Sequence, residues 1–163
     1  MGLFGRGDKT FTMRTDLLSI GEDYWITDDD GERAYRVDGA AIRDRFALLD
    51  AEGREVATIR ERTFGRDRMV IELASGRKAV VKRDGDRYDI DVEDGRNLRA
   101  HGDLIGHDYE IEKRGPGGKV AEISRKRLRL RETYEVEVEA DQDPALMLAI
   151  AVATCPEASS TLR

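Results

Sequence analysis

The residues with the most chemistry to offer are basic. Arg125-Lys126-Arg127-Leu128-Arg129-Leu130-Arg131 is the densest run of positive charge in the chain. Side chains alternate across an extended strand, so Arg125, Arg127, Arg129 and Arg131 would line one face, with Leu128 and Leu130 on the other. Ile123 shares the parity of those arginines, which calls for a bulge or corner near residues 124–126 that switches the inward face. The chemistry on offer is capture of an anionic lipid headgroup, each basic residue near an acidic membrane contributing about 1 kcal/mol. The plainer reading, which the charge balance favours, is a solvated outer strand offset by Glu122, Glu132 and Glu135. Arg60, Arg62, Arg66 and Arg68 form a weaker second patch open to the same two readings.

Other constellations promise less. Asp28-Asp29-Asp30-Gly31 invites a calcium loop, but with Gly31 at the sixth position the two charged end ligands fall on Ile26 and Val37. A hairpin turn is the better reading. His101 and His107, with Asp103 or Cys155, could surround a metal ion. Their spacing matches no zinc pattern, so no metal is expected. Gly115-Pro116-Gly117-Gly118 lacks the following Lys and Ser/Thr of a phosphate loop, and no Gly-x-Ser-x-Gly elbow occurs. No carboxylate pair stands out from the many acids. The expectation is a protein that is not an enzyme and carries no cofactor.

The elements that hold these residues come next. A chain of 163 residues fits one domain with a sizeable core. Its 34 acidic and 28 basic residues are interspersed, for a net charge of −6, which argues against nucleic acid as a partner. Cys155 is the only cysteine and fits a reducing cytoplasm. Residues 1–11 read as a flexible leader, with no apolar core for a signal peptide and Arg6 where a myristoylation site needs Ser or Thr.

From there to about residue 140, short alternating runs are separated by turns. Strands are expected at 11–20, 23–27, 33–37, 45–49, 56–62, 68–73, 78–82, 87–92, 98–101, 108–113, 119–124 and 133–138. Asp30-Gly31, Asp38-Gly39, Glu52-Gly53, Ser75-Gly76, Asp84-Gly85 and Asp94-Gly95 supply hairpin turns. A loose repeat places a bulky residue at 24, 46, 69, 88, 109 and 134, with an aliphatic residue two positions on. Such pairs share a sheet face, which should be the interior.

Residues 144–154, Pro-Ala-Leu-Met-Leu-Ala-Ile-Ala-Val-Ala-Thr, are the strongly apolar stretch in a chain that is 38% charged. Asp143 suits the N-cap and Pro144 the first helical position. A helix without a polar stripe is buried on every side. At about 16 Å it is roughly half the length a bilayer needs, so the same chain must wrap it. Barrels of about eight strands fill with their own side chains, whereas one of about eleven admits a central helix. The predicted fold is mainly β: a closed antiparallel barrel of about 12 strands, residues 12–155, around a buried hydrophobic C-terminal helix. Residues 156–163 form a polar tail.

Leu17-Leu-Ser-Ile-Gly-Glu-Asp-Tyr-Trp-Ile-Thr-Asp28, Tyr35-Arg-Val-Asp-Gly39, Ile59-Arg-Glu-Arg62, Gly106-His-Asp-Tyr-Glu-Ile111, Val120–Arg127 and Thr133-Tyr-Glu-Val-Glu-Val138 follow one another in an order that resembles the LURP-one-related family. That family is similar to the C-terminal domain of tubby and to phospholipid scramblases, so the resemblance implies the same twelve-stranded barrel. Cys155-Pro156 ends the helix where relatives are expected to continue apolar. The implied function is non-enzymatic: peripheral binding of an anionic, phosphoinositide-like phospholipid through Arg125, Lys126, Arg127, Arg129 and Arg131. The alternative is a protein–protein interaction module with no lipid role. Either places the chain in the cytoplasm, in the first case at the membrane periphery.

Overall fold

Alternation makes this wall. Along β6 (Arg68–Leu73) and β10 (Asp108–Lys113) every second residue is buried, because side chains point to opposite faces in turn. The computed structural model describes residues 8–14, 24–38, 45–61, 68–103, 108–124 and 133–154. The other strands are β1 (Lys9–Arg14), β2 (Tyr24–Thr27), β3 (Arg33–Asp38), β4 (Arg45–Asp50), β5 (Glu55–Glu61), β7 (Lys78–Asp84), β8 (Arg87–Val92), β9 (Leu98–Asp103), β11 (Lys119–Ser124) and β12 (Thr133–Val138). Each pairs antiparallel with its neighbours in sequence, and β1 pairs with β12, which closes the barrel. Closure leaves no strand edge exposed.

The aliphatic members of the sequence repeat, Ile26, Leu48, Ile71, Ile90, Ile111 and Val136, have no solvent exposure. Phe46, Met69, Tyr109 and Tyr134 are buried beside them, while Tyr88 is partly covered. The repeat therefore marks the lining of the barrel. Tight turns join the strands: Gly85 and Asp86 alone link β7 to β8, with Gly85 at φ 64°, a conformation that only glycine adopts readily.

α1 (Pro144–Ala153) fills the barrel. All nine residues from Ala145 to Ala153 are buried and form one continuous core with the strand residues that point inward. The Asp143 side chain accepts the Ala145 N–H at 3.0 Å, and Pro144 occupies the first turn. At the other end, the Thr154 hydroxyl donates to the Ile150 carbonyl at 2.9 Å and accepts from the Tyr109 hydroxyl at 2.5 Å. This pins the helix terminus to β10 with its buried polar groups satisfied. No described helix is long and apolar enough to cross a membrane.

Two local differences from the sequence reading have plain causes. β1 starts at Lys9, inside the span 1–11 expected to be a leader. Six consecutive residues, Lys9 to Arg14, pair with Val138 to Thr133, and this ladder holds the segment in the wall. The corner expected near residues 124–126 falls largely outside the described residues. A register shift lies earlier instead, where Ile111 faces Ala121 but Glu112 faces Lys119, which leaves both Val120 and Ala121 buried.

Candidate functional site

The end of the barrel where α1 begins is open. There the turns following β6, β8 and β10 and the segment entering α1 surround a cavity of about 410 Å³. Its apolar surface comes from Val92, Leu98 and Leu146. Four cations stand around it, brought together from three hairpins: Arg77, Arg96, Lys113 and Arg114. Asp141 and Asp143 line the side next to the helix.

These cations are not equivalent. Arg77 donates to Asp94 at 3.1 Å and to Asp143 at 3.3 Å, which ties the β8–β9 turn to the helix cap. The Arg96 backbone N–H, opposed by burial and assisted by Arg77, holds the Asp94 carboxyl below the usual carboxylate range. Arg114 binds the Asp91 carboxylate and the Ile90 carbonyl. Asp91 also takes Lys82 at 2.5 Å, and hydrogen bonds from Lys82 and Arg114 lower its pKa. Arg96 and Lys113 are different. Both are exposed, and neither side chain makes an ion pair among the described residues, although the Arg96 charge acts on the neighbouring Asp94 carboxylate. The mouth therefore offers two cations outside any ion pair above an apolar floor.

A second grouping lies on the outer wall. His101 of β9 stands directly opposite Glu110 of β10 in the ladder, with Glu112 two residues further along the same face. The His101 Nε2 is 3.5 Å from Glu110 Oε1 and 3.2 Å from Glu112 Oε1. Lys119 of β11 holds the other oxygen of Glu110 at 3.3 Å and Glu122 at 3.4 Å. Burial works against the charged form of Lys119, yet the Glu110 hydrogen bond and the Glu122 charge raise its pKa overall.

The sites read from sequence are distributed as follows. Arg125, Lys126, Arg127, Arg129 and Arg131 lie outside the described residues, as do Arg62, Arg66, His107 and Cys155. Arg60 is paired with Glu72 across the β5–β6 ladder at 3.0 Å, and Arg68 is exposed. Asp28 accepts the N–H groups of Asp30 and Glu32 within the turn between β2 and β3, which is the hairpin role expected of it. Arg96, Lys113, Glu110 and Glu112 were not singled out. An alternating Glu110-x-Glu112 one hairpin after His101 was the available signal, but reading it requires the register across residues 104–107.

Comparison with known proteins agrees with this architecture. No curated protein sequence matches the chain. The X-ray structure of a protein from Arabidopsis thaliana is similar with a TM-score of 0.66, at 21% identity over 88% of this chain and 89% of that one. A likeness at that identity shows a shared fold. Residues 9–155 match the family model described as LURP-one-related. That match runs from the first residue of β1 to one residue past the cap of α1, and the chain belongs to the LURP-one-related family.

Proposed function

We propose that this chain is a non-catalytic binding domain whose mouth cavity seats the phosphorylated headgroup of an anionic lipid at a membrane surface. The observation that carries this reading is the placement of Arg96 and Lys113, two exposed cations that form no ion pair among the described residues, beside Val92, Leu98 and Leu146. Phosphate oxygens accept strong charge-assisted hydrogen bonds from such groups, and the apolar floor suits the glycerol and upper acyl region. The basic run Arg125, Lys126, Arg127, Arg129 and Arg131 belongs to the proposal as a second, less directional contact with the acidic surface. Family likeness supports a lipid ligand by analogy.

Flotation with phosphatidylcholine vesicles, with and without a phosphoinositide, tests the reading at low and moderate salt. Binding should require the phosphoinositide and weaken as salt screens it. Neutralising Arg96 and Lys113 to glutamine removes two contacts of about 1 kcal/mol each, which should weaken binding roughly 30-fold. Binding that is absent, or indifferent to both substitutions, refutes the mouth as the seat.

One observation favours a protein partner instead. Half-buried Trp25 on β2 lies under the Arg33 guanidinium at 5.0 Å, with that of Arg36 at 5.9 Å, and tryptophan and arginine dominate protein-interface hot spots. A partner retained by the wild type in lipid-free buffer and lost with Trp25→Ala would select this reading.

A further inference from the structure

We propose that His101, Glu110 and Glu112 form a divalent-cation site on the outer wall of the barrel, with a donor set suited to Zn²⁺. The three side chains come from the paired strands β9 and β10, and one ligand atom from each lies within 4.8 Å of the others. Zinc binds imidazole nitrogen and carboxylate oxygen at about 2.0–2.2 Å, usually with tetrahedral angles. Two ligands on such an ion are therefore separated by about 3.4 Å. The observed separations from His101 Nε2, 3.2 Å to Glu112 and 3.5 Å to Glu110, straddle that value.

The imidazole is also poorly served without a cation. The His101 Nε2 atom is screened from solvent yet makes no hydrogen bond among the described residues, although two carboxylates flank it. An imidazole nitrogen placed between two carboxylate oxygens is the arrangement a metal ion requires.

Charge along the same row of the wall points the same way, with Arg87, opposite His101, already held by Asp84 at 3.0 Å. Glu110 faces Glu122 across the β10–β11 ladder, and Glu122 faces Glu137 across β11–β12. Like charges placed directly opposite are destabilising. Lys119 bridges Glu110 and Glu122, while the buried Glu137 Oε1 has no hydrogen-bond partner among the described residues. Arg99, opposite Glu112, is engaged by Asp89 at 2.9 Å. A doubly charged ion would offset this excess. Lys119, by holding the Glu110 Oε2, leaves Oε1 turned toward the histidine, which is the outer support that metal-binding carboxylates commonly have. Three protein ligands leave the fourth position to water, and the ion would fasten β9 to β10 beside the segment 104–107.

Calorimetric titration of the chelator-treated full chain with Zn²⁺ tests the site. One equivalent should bind, and His101→Ala or Glu112→Gln should each weaken binding by at least tenfold. His107→Ala and Cys155→Ser should leave affinity unchanged. Imidazole ¹⁵N spectra supply a second readout: on saturation His101 should show Nε2 coordinated and the proton on Nδ1. No binding to the wild type overturns the proposal. So does equal binding by His101→Ala, loss of binding with His107→Ala or Cys155→Ser, or a His101 signal that ignores zinc, the last meaning a protonated imidazole–glutamate ion pair only.

Discussion

Met147, Leu148 and Ile150 test whether α1 is enclosed on all sides. Successive residues turn by about 100°, so these three cover an arc of about 160°, and Val152 and Ala149 point into the remainder. None has any solvent exposure. A helix laid against the outside of a sheet would leave at least one direction wet and tolerant of truncation. In the enclosed arrangement each of these changes to alanine removes three buried carbon or sulfur atoms and leaves a cavity. Comparable substitutions remove about 2–5 kcal/mol. For a domain of this size, a loss of about 3 kcal/mol lowers the melting temperature by roughly 6–12 °C. The assay is thermal unfolding followed by circular dichroism for the wild type, for Met147→Ala, Leu148→Ala and Ile150→Ala, and for Val152→Ala on the opposite side, whose smaller truncation should cost somewhat less. The first three should fall in that range. One variant melting within about 2 °C of the wild type would show that its direction faces no packed wall, and the enclosed helix would have to be abandoned. Ile150→Asp is the stronger companion: an unpaired buried charge should prevent folding outright, so a folded, soluble Ile150→Asp protein would be equally fatal.

Two further outcomes follow from local geometry. Gly102→Ala should destabilise the domain by about 1–3 kcal/mol, because residue 102 has φ +127° and a Cβ there would lie 2.8 Å from the Tyr109 Cα; an unchanged melting temperature would contradict that close approach. Stability should also decline in acid. Asp91 and Asp94 have native pKa values below their ordinary ones, so their contribution is present above the unfolded-state value of about 3.9 and is lost as pH falls through the lower native values. The raised pKa of Lys119 acts oppositely, its contribution being lost as pH rises through the native value. Unfolding midpoints measured from pH 6 down to pH 2 should show an acid decline that is shallower in Asp91→Asn, and an identical profile in that variant would remove Asp91 from the account.

What could be read from the sequence was whatever depends on neighbours along the chain. Alternation around Ile71 or Ile111 assigns a face without knowledge of the partner strand, and an apolar run from Ala145 to Ala153 permits no wet side. The candidate sites depend on neighbours across the chain. Arg77, Arg96 and Lys113 meet at the mouth only because three turns lie at the same end of the meander. His101 meets Glu112 only because the β9–β10 register places Glu110 opposite it. A slip of one residue would have sent these carboxylates to the other face. The basic run 125–131 dominated the reading because contiguous charge is conspicuous in one dimension, whereas a convergence of scattered residues is not.

The helix that completes the core follows all twelve strands in sequence. A nascent chain leaving the ribosome therefore carries the whole lining of the barrel, from Phe11 to Val138, before the segment that covers it has been made. Wall segments emerging early have only one another to hide against, a circumstance that favours sticking to other chains. A product cut short before residue 144 would be a hollow sleeve for chaperones and proteases to remove.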